Sequence, residues 1–209
     1  MENEEKIKEF KECKMTSSCN NKVDCSDILK TITFMQNPNE IIEFGIHDGQ
    51  SLKIFTENSH SNCGIKAFDD LNGNCANKDK LDKTFSISEI RGISAHNQVE
   101  DDDCKNVFIQ HGDFYKEYKN IKKNSIDIIH IDIANDGAVL EFAFENYINK
   151  LTKNGIFIFE GGSKERDEVE WMNKYNKQKI NPVIEKYKKE YSITTIGEIH
   201  SLTIIKKTN

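Results

Sequence analysis

The chain has little proline, tryptophan or arginine: two prolines and one tryptophan occur in 209 residues, and Arg91 and Arg166 are its two arginines. No apolar run approaches the roughly 20 residues that a bilayer-spanning helix needs. The N-terminal MENEEKIKEF is charged where a secretory signal would be apolar. A formal net charge of −6 gives no electrostatic reason to seek nucleic acid or an anionic membrane. We therefore expect a cytoplasmic protein whose partners are small molecules, with no nucleic acid and no membrane among them.

Paired cysteine motifs are also absent, although the chain contains six cysteines. None of them belongs to a C-x-x-C pair, which argues against a zinc site and against a disulfide framework. Reduced thiols are the simplest interpretation, and they agree with the expected cytoplasmic location. The cysteines are Cys13, Cys19, Cys25, Cys63, Cys75 and Cys104.

Short apolar runs alternate with amphipathic segments through the middle of the chain. The runs predicted as strands are residues 41–45, 64–70, 106–113, 125–133 and 154–162. Continuously apolar strands separated by helices are typical of a parallel sheet that is covered on both faces. The final runs YSITTIG and HSLTIIKK indicate an antiparallel pair at the sheet edge. The pattern predicts an α/β, Rossmann-like open sandwich with a mostly parallel seven-stranded sheet and an antiparallel C-terminal strand.

Two polar stretches interrupt this pattern. Residues 1–25 are rich in Lys, Glu and Asn and are predicted to form a polar or helical N-terminal extension, which leaves 26–209 as one domain. Residues 71–104 contain an acidic run where a helix should link the second and third strands. They are interpreted as a helix with an inserted loop, which either covers the site as a lid or decorates the surface.

The first strand leads into the segment E-F-G-I-H-D-G-Q-S, which starts at Glu43. Its glycines, Gly45 and Gly49, are spaced G-x-x-x-G, whereas a dinucleotide fingerprint would be G-x-G-x-x-G. Gly45 allows a sharp turn and a close approach to a ligand, and Ser51 is expected to bind free N–H groups of the next helix. Glu43 and Asp48 suit a positively charged ligand better than a phosphate.

The ends of the next two strands carry further polar groups, and ligands of open parallel sheets bind at such ends. Asp69 follows the second strand and is expected to accept hydrogen bonds from ribose hydroxyls. Gly112, Asp113 and Phe114 follow the third strand, where a polar–aromatic pair could read the edge and cover the face of a base. His47 lies inside the glycine turn and is expected to contact the same ligand.

Strands four and five end in the candidate catalytic groups. Asp132 follows strand four and Glu160 follows strand five. These two carboxylates, with His47 and His111, are the candidate bases for removing a proton from an acceptor hydroxyl, and Glu160 is the first choice. His130 alternates with Asp132 along strand four, which favours a buried structural role.

The order of these five segments resembles that of class I S-adenosylmethionine (SAM)-dependent methyltransferases. More narrowly, AFDDLNGN, QHGDF, IIHIDIAND and KLTKNGIFIFEGGS resemble the branch that includes macrocin-type sugar O-methyltransferases, over roughly residues 26–207. The resemblance implies SAM as the cofactor and methyl transfer to a small polar, sugar-like acceptor. The SAM-site residues that it implies are Glu43, Gly45, Gly49, Ser51, Asp69, Asp113 and Asp132.

The sequence departs from that branch at the position of its metal ligands. The branch often has a second acid or histidine after strand four and an Asp-Asp pair after strand five. This chain has Ala134-Asn135-Asp136 and Glu160-Gly161-Gly162 there. Asp132 and Glu160 remain as oxygen ligands, with Asn135 or Asp136 as a third. A divalent metal such as Mg²⁺ is permitted by this set but is not indicated by it.

Two other functions stay open at the level of sequence. The departures would suit a non-catalytic SAM-fold binding protein, and the strand pattern would suit a nicotinamide-dependent oxidoreductase that lacks the usual glycine fingerprint. Arg166 and Trp171 follow the fifth strand and either line an acceptor pocket or belong to a docked helix. The acceptor itself, and a homo-oligomeric state, are left open.

Overall fold

The computed structural model describes residues 24–47, 49–69 and 106–208, and within them a seven-stranded sheet has the strand order β3-β2-β1-β4-β5-β7-β6. Strand β7 runs antiparallel to both of its neighbours, β5 and β6, whereas the remaining neighbours pair in parallel. This arrangement confirms the predicted fold class. The strands are β1 (Glu40–Phe44), β2 (Gly64–Asp69), β3 (Asn106–His111), β4 (Ile126–Ile131), β5 (Leu151–Glu160), β6 (Tyr191–Ile196) and β7 (Leu202–Lys207).

Helices connect the strands and cover both faces of the sheet. The α-helices are α1 (Cys25–Gln36), α2 (Gln50–Asn58), α3 (Phe114–Glu117), α4 (Gly137–Asn146), α5 (Glu170–Lys174) and α6 (Ile180–Tyr187). Two 3₁₀ turns, Ile148–Lys150 and Arg166–Glu168, flank β5. None of the helices in the described part of the chain is long and apolar enough to cross a membrane.

Alternate residues of the strands enter two separate cores. Ile42 and Phe44 of β1 pack on the face that α4 and α6 cover, and Ile41 packs on the face that α1 and α2 cover. All three side chains are buried. Because successive strand residues point to opposite faces, a sheet with two covered faces needs continuously apolar strands. The apolar runs of the sequence reflect this requirement.

The strand boundaries differ from the sequence-based expectation by a few residues. β4 ends at Ile131, two residues earlier than predicted, and β5 begins at Leu151, which pairs with Ile126 across an irregularity in the register. The C-terminal pair is antiparallel as expected. Of its two strands, β6 lies at the edge of the sheet and β7 lies between β6 and β5. Polar residues that follow each strand therefore belong to loops at the carboxyl edge of the sheet.

Helix α1 has a capping residue at each end. Asp24 accepts a hydrogen bond from the backbone N–H of Ser26 at 2.8 Å, and Asn37 ends the helix in the left-handed conformation. Most of the predicted N-terminal extension, residues 1–23, lies outside the described residues, as does the predicted insertion at 71–104.

Candidate functional site

A cavity of about 880 Å³ opens at the carboxyl ends of the parallel strands. This volume lies within the range of small-molecule and cofactor pockets. The predicted cofactor residues that line it are Gly45, His47, Ser51, Asp69, Gly112, Asp113, Phe114 and Asp132. Glu43, Gly49 and Glu160 do not line it, and Asp48 lies outside the described residues. The site therefore assembles the ends of β1, β2, β3 and β4 around one space.

The end of β4 explains why a glycine stands at position 45. Gly45 has φ +90°, and a Cβ atom there would lie 1.8 Å from the backbone oxygen of Asp132. The backbone N–H of Asp132 also donates to the carbonyl of Phe44 at 2.8 Å. The close approach that the glycine permits is thus an approach to the chain itself, whereas the sequence analysis had assigned it to a ligand.

Gly49 and Ser51 begin helix α2 in different ways. Gly49 is the N-cap with φ 78°, which few residues other than glycine adopt easily. Ser51 does not bind the free N–H groups of the first turn, as the sequence analysis expected, because its hydroxyl donates to the carboxylate of Glu43. Ser51 also lines the cavity, so its hydroxyl lies between the cavity and the buried Glu43.

Glu43 is a carboxylate with no exposed surface. Its Oε1 atom lies 3.0 Å from Nδ1 of His130 and also accepts the hydrogen bond of Ser51, while its Oε2 atom has no hydrogen-bond partner. His130 is buried, as predicted, and its ring contacts Phe55 edge-on. Glu43 therefore lies behind Ser51 as seen from the cavity, and its contact with a cofactor stays a prediction.

Asp69 fixes the glycine turn and leaves one oxygen open. Its Oδ2 atom accepts hydrogen bonds from the backbone N–H groups of Ile46 at 2.7 Å and His47 at 3.4 Å. Its Oδ1 atom is buried and has no partner. Buried polar atoms normally have a partner, so this oxygen is suited to accept a hydrogen bond from a ligand in the cavity.

The residues after β3 divide between the cavity and the core. Asp113 accepts from the backbone N–H of Tyr115 at 2.9 Å, and its hydrogen bond with Lys116 lowers its pKa. Phe114 is buried and stacks on Tyr147, with a ring distance of 5.0 Å. Tyr115 also lines the cavity and is 49% exposed, so it offers an accessible aromatic face that the sequence analysis missed.

Asp132 and Glu160 bring two carboxyl groups together. Burial raises the pKa of Asp132 to about 9, and its side-chain hydrogen bond with Glu160 and the charges of Glu160 and Glu43 act in the same direction. The positive charge of Arg166 opposes these effects. A hydrogen bond between two carboxyl groups requires one shared proton. The pair therefore places a protonated oxygen and an acceptor oxygen at the edge of the cavity.

The polar residues after Asp132 are occupied by structural contacts. The amide nitrogen of Asn135 donates to the carbonyls of Ile131 at 2.9 Å and Glu160 at 2.8 Å. Asp136 caps α4 through the backbone N–H of Val139 and forms an ion pair with Lys177. These contacts hold the ends of β4 and β5 at a fixed distance, which positions Asp132 beside Glu160.

Among the described residues, the donors after β4 and β5 do not assemble a site for a divalent metal. Asn135 and Asp136 are engaged as described, and Gly161 has no side chain to offer beside Glu160. Among the described residues, no group of three or more His, Cys, Asp and Glu side chains is placed to hold a metal ion. A cation held by the protein alone needs several oxygen ligands, and the described residues at this position leave Asp132 and Glu160 to supply them.

Two further cavity residues come from segments that the sequence analysis did not connect with the site. Cys25, at the start of α1, lines the cavity, and burial, followed by the nearby charges of Glu160, Asp24 and Asp132, raises the pKa of its thiol. Lys177 reaches the cavity because the backbone N–H of Gly137 donates to the carbonyl of Gln178. No local sequence signal marks either residue, because long-range packing places both.

No protein-family model matches the sequence, and no curated protein matches it. Solved structures do match the fold. A methyltransferase from Geobacter sulfurreducens has a TM-score of 0.59 and 16% identity, covering 90% of this chain and 80% of that chain. An O-methyltransferase from Bacillus cereus in complex with SAH has a TM-score of 0.57 and 16% identity, covering 98% and 90%. An SAH-bound methyltransferase from Podospora anserina has a TM-score of 0.57 and 13% identity, covering 88% and 78%. The chain thus shares the fold of class I SAM-dependent methyltransferases.

Proposed function

We propose that the chain binds SAM in the cavity at the carboxyl ends of β1–β4 and transfers its methyl group to a hydroxyl oxygen of a small, sugar-like acceptor. The observation that carries the proposal is the unpartnered Oδ1 atom of Asp69, which is buried beside the glycine turn at the wall of the cavity. Two of the solved structures with this fold hold SAH, the demethylated product of SAM.

The residues of the cavity fit this cofactor. Asp69 offers an acceptor oxygen for a ribose hydroxyl, and Tyr115 offers an aromatic face next to the end of β3. The carboxyl group of Asp69 lies at the cavity, that of Glu43 lies behind Ser51, and the Asp132–Glu160 pair, which shares one proton, keeps one negative charge. Negative charge suits a ligand that carries a sulfonium and an ammonium group, and it disfavours the pyrophosphate of a dinucleotide.

SAM, when bound, supplies a methyl group on a positively charged sulfur, and the displacement is in line with the attacking oxygen. The protein has to hold that oxygen on the line and accept its proton. Glu160 is the proposed base. Asp132 is the proposed positioning group. Its protonated oxygen donates a hydrogen bond to the Glu160 carboxylate and so fixes the orientation of that carboxylate toward the substrate hydroxyl. Asn135 supports the pair by holding the carbonyl of Glu160.

Calorimetry with SAM, SAH and NAD, each titrated into the full chain, tests the proposal. We expect SAM and SAH to bind and NAD not to bind. Binding of NAD without either sulfur ligand would favour an oxidoreductase and contradict the proposal. Incubation of the SAM complex with a panel of sugars, with formation of SAH as the readout, then separates an enzyme from a protein that only binds SAM.

A further inference from the structure

The loop that follows β5 carries Arg166 in a fixed backbone position. The backbone N–H of Arg166 donates to the hydroxyl of Ser163 at 2.9 Å, and that hydroxyl donates to the carbonyl of Glu198. The carbonyl of Gly161 accepts from the hydroxyl of Thr203 at 2.6 Å. The loop is thus tied to β7 and to the segment before it, so the guanidinium starts from a defined position.

The guanidinium of Arg166 is held in place without being neutralised. Its central carbon lies 4.9 Å from the ring centroid of Trp171, within the range of a cation–π contact. Its Nη1 atom is buried and has no hydrogen-bond partner. Leaving a buried charged donor unpaired is costly. A group that persists in this state in the folded protein is suited to a partner that comes from outside the chain.

The carboxyl pair lies near this guanidinium but does not bind it. The charge of Arg166 acts on Asp132, and yet no carboxylate of the described residues forms an ion pair with Arg166 within 4.0 Å. The guanidinium nitrogens therefore lie more than 4.0 Å from the carboxyl oxygens of Asp132 and Glu160. The pair shares a proton, so it repels an anion bound at Arg166 less than two ionised carboxylates would.

Gly161, which follows Glu160, lies against the side chain of Arg166. It has φ +108°, and a Cβ atom there would lie 3.6 Å from Cγ and 4.0 Å from Nε of Arg166. The same Cβ atom would also lie 2.8 Å from a methyl carbon of Ile180. The contact with Ile180 and the positive φ disfavour a larger residue, and the distances to Arg166 show that its side chain packs directly beside the residue that follows Glu160.

We propose that Arg166 is the anion-binding group of the acceptor site, and that the acceptor carries an oxyanion, a carboxylate or a phosphate, close to the hydroxyl that is methylated. This inference rests on the proposed function, because it assigns the acceptor side of the same site. The planar fork of an arginine binds either oxyanion with two parallel hydrogen bonds, which a lysine cannot do. Arg166 is one of two arginines in a chain rich in lysine.

The small number of arginines permits a direct test by NMR. Protein labelled with ¹⁵N-arginine and saturated with SAH should give two Nε–Hε signals, from Arg91 and Arg166. The signal that disappears in Arg166→Lys belongs to Arg166. If that variant does not fold, the signal that remains in Arg91→Lys belongs to Arg166. The probes are glucose, glucuronate and glucose 6-phosphate, titrated at equal ionic strength. Arg91 lies outside the described residues and serves as the internal reference.

We expect the Arg166 signal to shift in a saturable way with glucuronate or with glucose 6-phosphate and not with glucose. The two charged sugars separate a carboxylate acceptor from a phosphate acceptor. Arg166→Gln should weaken binding of the preferred sugar by roughly tenfold to a hundredfold, as the loss of a charged hydrogen bond predicts. Lys164→Gln, which removes the same charge from an exposed position of the same loop, should leave binding unchanged.

Three results would overturn the inference: an Arg166 signal that moves with neither charged sugar, one that moves equally with glucose, and one that moves in parallel with Arg91. Failure of the wild-type chain to bind SAH would instead contradict the proposed function. The two failures are therefore distinguishable within one set of samples.

Discussion

The carboxylate of Glu43 and the imidazole of His130 lie 3.0 Å apart in the interior of the sheet, on residues that are register partners of β1 and β4. Neither side chain has more than 3% of its surface exposed. The pair joins two central strands directly below the glycine turn and Asp132. Its loss should therefore affect the strands that carry both the glycine turn and the Asp132–Glu160 pair.

Replacing His130 with alanine should destabilise the fold strongly. The variant leaves the Glu43 carboxyl group buried with Ser51 as its remaining partner, and a buried polar group that loses its hydrogen-bond partner costs about 1–3 kcal/mol. Urea denaturation measures the free energy of unfolding. Glu43→Gln and the double variant complete a cycle that isolates the coupling of the two groups. A cost below about 1 kcal/mol for His130→Ala would contradict the interpretation of this pair as a structural clamp.

Replacing Asp69 with asparagine should weaken SAH binding by roughly tenfold to a hundredfold, because the acceptor oxygen at the cavity loses its charge. Calorimetry measures the change. The matched control is Asp127→Asn at the opposite end of β4, where that carboxylate also binds a backbone N–H, that of Asn39, at 2.8 Å. The control should keep its SAH affinity within about twofold of wild type. Equal losses in both variants would show that Asp69 acts only through stability.

Replacing Glu160 with glutamine should abolish most methyl transfer and spare the cofactor. Removal of a general base typically lowers kcat by about 10²–10⁴-fold, and Glu160 does not line the cavity that we assign to SAM. Turnover is measured as SAH formation with an acceptor that the wild-type chain methylates. Glu165→Gln, an exposed change in the same loop, is the control and should turn over normally. Normal turnover by Glu160→Gln would remove Glu160 as the base.

Replacing Asp132 with asparagine should flatten the dependence of stability on pH. The folded-state pKa of Asp132, about 9, lies above the ordinary value of 3.8. Between these two pH values the folded chain therefore keeps a proton on the Asp132 carboxyl group that the unfolded chain has already released. Stability falls with rising pH across that window, by up to about 1.4 kcal/mol per pH unit.

The measurement for Asp132 is the difference in unfolding free energy between wild type and Asp132→Asn at several values between pH 5 and pH 9. Taking the difference cancels the groups that titrate alike in both proteins. The variant should gain on wild type as the pH rises, because asparagine stays neutral and still offers a donor to Glu160. Parallel curves for the two proteins would contradict the raised pKa.

The fold could be predicted because its determinants are local and periodic. Strands such as β4 are apolar on both faces, and that pattern requires helices on either side of a parallel sheet. The exact ends of the strands could not be predicted, since the pairing of Leu151 with Ile126 across an irregular register depends on the neighbouring strand. The periodicity of the sequence could not predict the order of the last two strands in the sheet either.

The candidate site was predictable where a polar residue directly follows a strand. Asp69 and Asp132 fall in this group, and both line the cavity. Ser51 was also placed correctly, but its partner is Glu43 and not the helix, because a buried carboxylate eight residues away competes for its hydroxyl. Cys25 and Lys177 were missed because their segments reach the cavity through tertiary packing alone.

The contact between Gly45 and the backbone of Asp132 has a consequence for how the proposed site could be engineered. A Cβ atom at Gly45 would lie 1.8 Å from the backbone oxygen of Asp132, so the glycine turn and the end of β4 are in direct contact. Changes to the turn should therefore alter kcat as well as KM. Redesign of the acceptor side is better confined to the loop after β5, which follows a different strand at the same carboxyl edge of the sheet.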